Sequence, residues 1–185
     1  MKRRTTFLAA IAVALSLATG SVHAALNAYL KIKAGRQGQI EGSVTQPGRE
    51  GSMLVLASAH EIVSPRDPAS GLPTGKRQHK PFTITKPIDK ATPLLLQALV
   101  TNETLTEVVI NYWRPAGNGQ EQQYFTITLT NASIASHSIK QLPTYVPANA
   151  SVPELEEISF TYQKITWTWT SGGVTATDSW EAAPQ

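Results

Sequence analysis

The chain has 185 residues, with sixteen lysines and arginines against thirteen aspartates and glutamates, and it contains no cysteine. Its length suits one domain with a tail, and its supply of β-branched and aromatic residues excludes a highly charged disordered chain. The missing cysteine excludes a disulfide framework, a cysteine-based zinc site and a thiol nucleophile.

Lys2, Arg3 and Arg4 precede an apolar run from Phe7 to Ala18, broken only by Ser16, and Val22-His23-Ala24 follows. A charged start, a short apolar stretch and small residues flanking a cleavage point form the order of a secretory signal. The run falls short of the ~20 apolar residues of a membrane span. Residues 1–24 are therefore expected to be a cleaved signal peptide and 25–185 the folded domain. The leader carries the whole charge excess, since the remainder has thirteen residues of each sign. No global field is left to draw nucleic acid or an anionic membrane.

Strands are expected over 27–33, 40–45, 53–64 and 81–86, followed by 105–113, 124–130, 158–170 and 174–180. The clearest is 124–130, where Phe125, Ile127 and Leu129 alternate with Tyr124, Thr126, Thr128 and Thr130 in the period of a half-buried sheet. Asn118-Gly119 lies between the runs 105–113 and 124–130 and predicts a tight hairpin. The run 158–170 changes face midway, with Ile158, Phe160 and Tyr162 on one side and Ile165, Trp167 and Trp169 on the other. Either a bulge near Lys164 or burial of both faces, one of them against a partner chain, accounts for that. One short helix is expected after Asp89, with Thr92 as N-cap, Pro93 in its first turn and an end by Asn102. Residues 64–78, with Pro65, Pro68, Gly71, Pro73 and Gly75, predict a long excursion from the scaffold, and 141–153 a second proline-rich loop. Many strands, one helix and proline-rich loops point to a β-barrel or a sandwich.

Chemistry-bearing patterns are sparse. His60-Glu61 opens like a zinc-protease motif, but Ser64 stands where the second histidine belongs. His137 lies among Ser133, Ser136 and Ser138 without a nucleophile elbow. Glu154, Glu156 and Glu157 suit a solvated entry to a strand better than a pair of carboxylates flanking a sugar. Lys76-Arg77-Gln78-His79-Lys80 is too narrow for a nucleic-acid groove and suits a solvated loop base or a charged subunit contact. The tryptophans Trp113, Trp167, Trp169 and Trp180 suit core or subunit packing. No catalytic residue, metal ligand or cofactor site is assigned.

Several segments resemble, in order, those of the haemolysin-coregulated proteins (Hcp) of type VI secretion. They are Ala28-Tyr29-Leu30-Lys31-Ile32, the stretch from Ser70-Gly71-Leu72-Pro73 through Gln78-His79-Lys80-Pro81-Phe82, and Asp89-Lys90-Ala91-Thr92-Pro93-Leu94-Leu95. Ile158-Ser159-Phe160-Thr161-Tyr162-Gln163-Lys164-Ile165-Thr166-Trp167 and Asp178-Ser179-Trp180-Glu181 complete the set. The resemblance implies an antiparallel β-barrel with one short helix and a long extended loop, assembled as a ring of six subunits. It further implies stacking of rings into a hollow tube, sheath and tip components as partners, and small effector proteins as cargo. In those terms the 64–78 loop reaches a neighbouring ring, with Pro65, Arg66, Asp67, Leu72, Pro73 and Arg77 as its contact residues. Ile165, Trp167 and Trp169 become candidates for the subunit interface.

The expectation is a non-enzymatic, hexameric tube and effector-carrier subunit, secreted to the extracellular space by type VI secretion. The leader departs from that pattern and suggests periplasmic export, which makes an exported β-barrel binding module without tube assembly the alternative.

Overall fold

A computed structural model describes residues 27–117 and 119–180. The expected signal peptide and Asn118 of the expected hairpin lie outside the described residues.

The first strand, β1 (Ala28–Ala34), alternates inward Leu30, Ile32 and Ala34 with outward Lys31 and Lys33. It pairs antiparallel with β2 (Gly38–Ile40), β3 (Met53–Val55) and, along its other edge, β8 (Leu105–Pro115). From β8 the sheet continues through β9 (Glu121–Lys140), β10 (Leu155–Trp169), β7 (Phe82–Pro87) and β4 (Ala57–Ala59). The chain itself makes the step from β4 back to β1. Only Leu56 separates β3 from β4, and its N–H already donates to the Thr85 carbonyl of β7 at 2.8 Å. One bent segment thus serves β1 with its first half and β7 with its second, giving a barrel-like enclosure. That is why the expected strand 53–64 is broken into pieces. The expected strand 40–45 keeps only its first residue, because Gly42 turns the chain against Ser52: a Cβ there would lie 2.4 Å from the Ser52 carbonyl oxygen.

β10 organises the other side. β9 pairs along one of its edges from Leu155 to Trp169. On the opposite edge β7 takes Leu155 to Phe160 and β11 (Val174–Ser179) takes Lys164 to Trp169. Between these two partners the inward phase changes from Ile158, Phe160 and Tyr162 to Ile165 and Trp167, with Gln163 and Lys164 both exposed. No residue is inserted at Lys164. The register shift against β9 falls at Ser159/Phe160, and the phase change crosses three strands together. β9 changes phase at Asn131, whose φ of 49° is left-handed, and β8 changes at Thr106 and Glu107. The Asn131 side-chain amide donates to Gln163 Oε1 at 3.0 Å across this crease. Ile165 and Trp167 therefore face the same core as Ile158 and Phe160, not an opposite surface.

The helix, α1 (Thr92–Val100), has Pro93 in its first turn and buries Leu95 and Ala98 against β9. Thr92 is not its N-cap. Its hydroxyl accepts from the Asp89 N–H at 3.1 Å and donates to Glu156 at 2.9 Å, while Asp89 Oδ1 accepts from the Ala91 N–H at 3.0 Å. Asn102, with φ 47°, ends the helix in the left-handed conformation favoured there.

Candidate functional site: the projecting arm and its anchor

The excursion 64–78 is a structured hairpin arm. At its base β5 (Ile62–Val63) pairs with β6 (Gln78–His79), and further out Arg66 bridges Pro73. Pro65 accepts from the Thr74 N–H at 3.0 Å. The tip is closed by Asp67, whose Oδ1 accepts from the Ser70 hydroxyl at 2.7 Å, the Ser70 N–H at 2.7 Å and the Ala69 N–H at 3.2 Å. Those bonds, the Ser70 hydroxyl first, hold the Asp67 carboxyl below the usual carboxylate range. Gly71 supplies the positive φ the reversal needs. Of the contact residues expected on this segment, Arg66, Leu72 and Pro73 are exposed, with Leu72 65% accessible, and Pro65 and Asp67 are half-buried. Arg77 points back to the barrel.

That return is the anchor. The Arg77 guanidinium forks onto both carboxylate oxygens of Asp178 in β11 and donates to the Ser179 carbonyl at 2.9 Å. His79 Nε2 meets Asp178 Oδ2 at 2.9 Å, and its Nδ1 meets the Tyr162 hydroxyl at 2.8 Å. His60, at the other side of the arm base, reaches the same hydroxyl at 2.6 Å. Trp180 packs over His79 with ring centroids 5.5 Å apart. Arg77 is the main reason the Asp178 carboxyl sits below the usual range, while burial, with Asp178 nearby, pushes the Tyr162 phenol well up. Of the stretch expected as a solvated loop base, Arg77 and His79 are consumed in this anchor and Lys76 and Lys80 remain in solvent.

A second polar cluster lies inside the barrel wall. Lys86 is fully buried, and its three ammonium donors go to the Pro87 carbonyl at 2.9 Å, Asp89 Oδ1 at 2.8 Å and Glu156 Oε1. Glu156, also fully buried, takes His137 Nε2 on its other oxygen at 2.7 Å. Burial pushes its carboxyl up, and the bonds from His137 and Lys86 outweigh that and hold it low. The solvated reading of 154–157 therefore fails at Glu156, which ties β10 to β7 and β9. The segment of Ser133, Ser136, His137 and Ser138 lies within the long β9, and His137 serves as this buried donor. A third set gathers around Arg49, which lies 3.8 Å from the Trp113 ring centroid, donates to the Tyr29 hydroxyl at 3.0 Å and pairs with Glu121 at 2.8 Å.

Of the expected interface residues, Ile165 has no accessible surface and belongs to the protomer's own core. Trp167 is half-buried against that core. Trp169 alone presents a broad face, 39% accessible, beside Tyr124 and Arg114. An open groove of about 610 Å³ along the crease is lined by Thr104, Asn131, Ser133, Thr161, Tyr162, Gln163 and Trp180. Asn131 and Gln163 bond each other and the Tyr162 hydroxyl is taken by the histidines, so few polar groups converge there. Among the described residues no three His, Cys, Asp or Glu side chains gather as a metal-binding group.

Among the described residues, a mainly antiparallel barrel, one α-helix, a projecting arm pinned by a partly buried ion pair and a sealed Lys86–Glu156 pair in the wall define a β-barrel protein whose charged groups hold elements together. The family described as "Type VI secretion system effector, Hcp" matches residues 29–169. The chain is 40% identical over 164 residues to the "Major exported protein" of Pseudomonas aeruginosa PAO1, covering 84% of this chain and 95% of that one. It superposes on the crystal structure of an Hcp protein with a TM-score of 0.80 at 30% identity, covering 86% of this chain and all of the other. A substituted form of the Hcp1 protein of E. coli EAEC 042 gives a TM-score of 0.75 at 33% identity, over 84% and 99% of the two chains. The chain belongs to the Hcp family of type VI secretion proteins.

Proposed function

We propose that this chain is a non-enzymatic subunit of a hexameric ring that stacks into a type VI secretion tube, carries small effectors and is released outside the cell. The observation that carries the reading is family membership running through the barrel and the arm together. The arm is tied at its root by Arg77 and Asp178 while it presents the exposed apolar side chain of Leu72. A ring needs a contact that closes by rotation, and the half-exposed Trp169 with Arg114 and Tyr124 supplies an aromatic and cationic surface of the kind enriched at such contacts. Pro65, Arg66, Asp67, Leu72 and Pro73 are the proposed ring-to-ring contacts. Arg77 acts through the arm's anchorage, and Ile165 contributes only as part of the core against which Trp167 packs.

Electron micrographs of purified residues 25–185 should show six-fold rings with an open centre, and fields of single compact particles at high concentration would overturn the reading. The leader favours the second reading, a periplasmic module that has lost tube assembly. A protein whose first residue is Ala25, retained in the periplasm independently of the sheath, would select it. Continued secretion after deletion of residues 2–24 would select the tube.

A further inference from the structure

The Tyr162 hydroxyl has one proton to donate, and it stands between two histidines, 2.6 Å from His60 Nε2 and 2.8 Å from His79 Nδ1. The far side of His79 fixes the protons. Asp178 is an ionised carboxylate held by the Arg77 fork and the Ser179 N–H, so it only accepts, and His79 Nε2 must carry a hydrogen toward it. With His79 neutral, its Nδ1 is bare and accepts the Tyr162 O–H. The Tyr162 oxygen then accepts from His60 Nε2–H. A single arrangement satisfies the Tyr162 hydroxyl, both nitrogens of His79 and His60 Nε2 while both rings are neutral.

One added proton can still be accommodated. A hydrogen on His79 Nδ1 donates to Tyr162, which turns its own proton toward His60 Nε2, and His60 shifts to its other tautomer. A second proton cannot. Both His60 Nε2 and His79 Nδ1 would then donate to the same oxygen, the Tyr162 proton would lose both acceptors, and two cations would face each other with ring centroids 6.1 Å apart. The surroundings offer no relief. β7 brings Phe82 against His60, β11 brings Asp178, whose charge Arg77 already balances, and Trp180 follows just after β11. Glu61, Lys76, Lys80 and Lys164 are exposed at the margin.

We infer that His60, Tyr162 and His79 form an acid-released clamp at the root of the arm, which tolerates one proton and opens on the second. The same burial, with His79 beside it, holds the His60 imidazole below its ordinary value, so opening follows mild acid and not neutrality. Because the clamp lies within one chain, it goes beyond the tube reading and holds whether or not rings form.

The test is hydrogen exchange on the full chain from about pH 7.5 to about pH 5, with rates corrected for the intrinsic effect of pH. Peptides covering residues 62–79 should speed up about tenfold relative to peptides of β8 and β9. In His60→Gln an amide N–H still reaches Tyr162 but cannot gain charge, and the acceleration should fall below about twofold. No acceleration in the unaltered chain, or the same acceleration in H60Q, overturns the clamp. If H60Q is already loose near neutrality, histidine NMR of the unaltered chain decides. Coupled titration of His60 and His79, with the second step coinciding with arm exchange, supports the clamp, and independent titration overturns it.

Discussion

Replacing Lys86 with methionine removes a cation from a place that keeps its anion. The ammonium gives all three of its donors, to Pro87, Asp89 and Glu156, and both it and Glu156 are sealed from solvent. Breaking a buried pair costs about 3–5 kcal/mol, because the surviving charge keeps its desolvation penalty. Thr92 and His137 still donate to Glu156 in the variant, which places the expected loss near the lower end, about 3 kcal/mol. With a urea dependence of about 2 kcal/mol per molar, the unfolding midpoint should fall by about 1.5 M. Denaturation followed by tryptophan fluorescence at fixed protein concentration reads this directly. The paired variant Lys86→Met with Glu156→Leu should lose less than the sum of the two single changes, with a coupling of about 2 kcal/mol. A midpoint shift below about 0.5 M, or strictly additive losses, would refute the reasoning.

Gly42→Ala drives a methyl to within 2.4 Å of the Ser52 carbonyl oxygen and 2.7 Å of Met53 Cα, so a loss of more than about 2 kcal/mol in the same assay is expected. Acid should weaken the fold in two stages, seen as melting temperature against pH. His60 binds its proton less readily when folded, so its contribution is full above about pH 6.5 and drains as pH falls through its lower folded value. Asp178 and Glu156 are likewise held below their ordinary range, and their contributions, full above about pH 4.5, disappear as pH drops through theirs. H60Q should remove the upper stage and E156Q should shrink the lower one, leaving the share that Asp178 contributes. Leu72→Asp, at the exposed arm tip, should leave single rings intact and abolish stacked ones in sedimentation profiles. Unchanged stacking would remove Leu72 from the ring-to-ring contact.

Much of the barrel was legible in period-2 runs. Phe125, Ile127 and Leu129 marked β9, and Pro93 after Asp89 marked the start of α1. The same periodicity also carries the buried ion pair. Phe82, Ile84 and Lys86 share one phase, as do Glu156, Ile158 and Phe160, so each strand puts a charge on its buried face, and two such charges require each other. The face change in β10 was visible, but its cause was not, because it depends on Thr106 of β8 and Gln163 of β10 flanking Asn131 of β9 from either side. The anchor of the arm was hidden for the same reason. Arg77 and Asp178 are 101 positions apart, and Tyr162 reads as one more aromatic in a strand until His60 and His79 arrive from another part of the chain. Ile165 was misplaced because alternation counted from Ile158 ignores the crease.

The claim that this Hcp-family chain is a ring subunit is tested most directly by light scattering coupled to size exclusion on residues 25–185, loaded at high concentration. A ring subunit elutes as a species of six times the mass of one chain. A single compact species at the mass of one chain would contradict it.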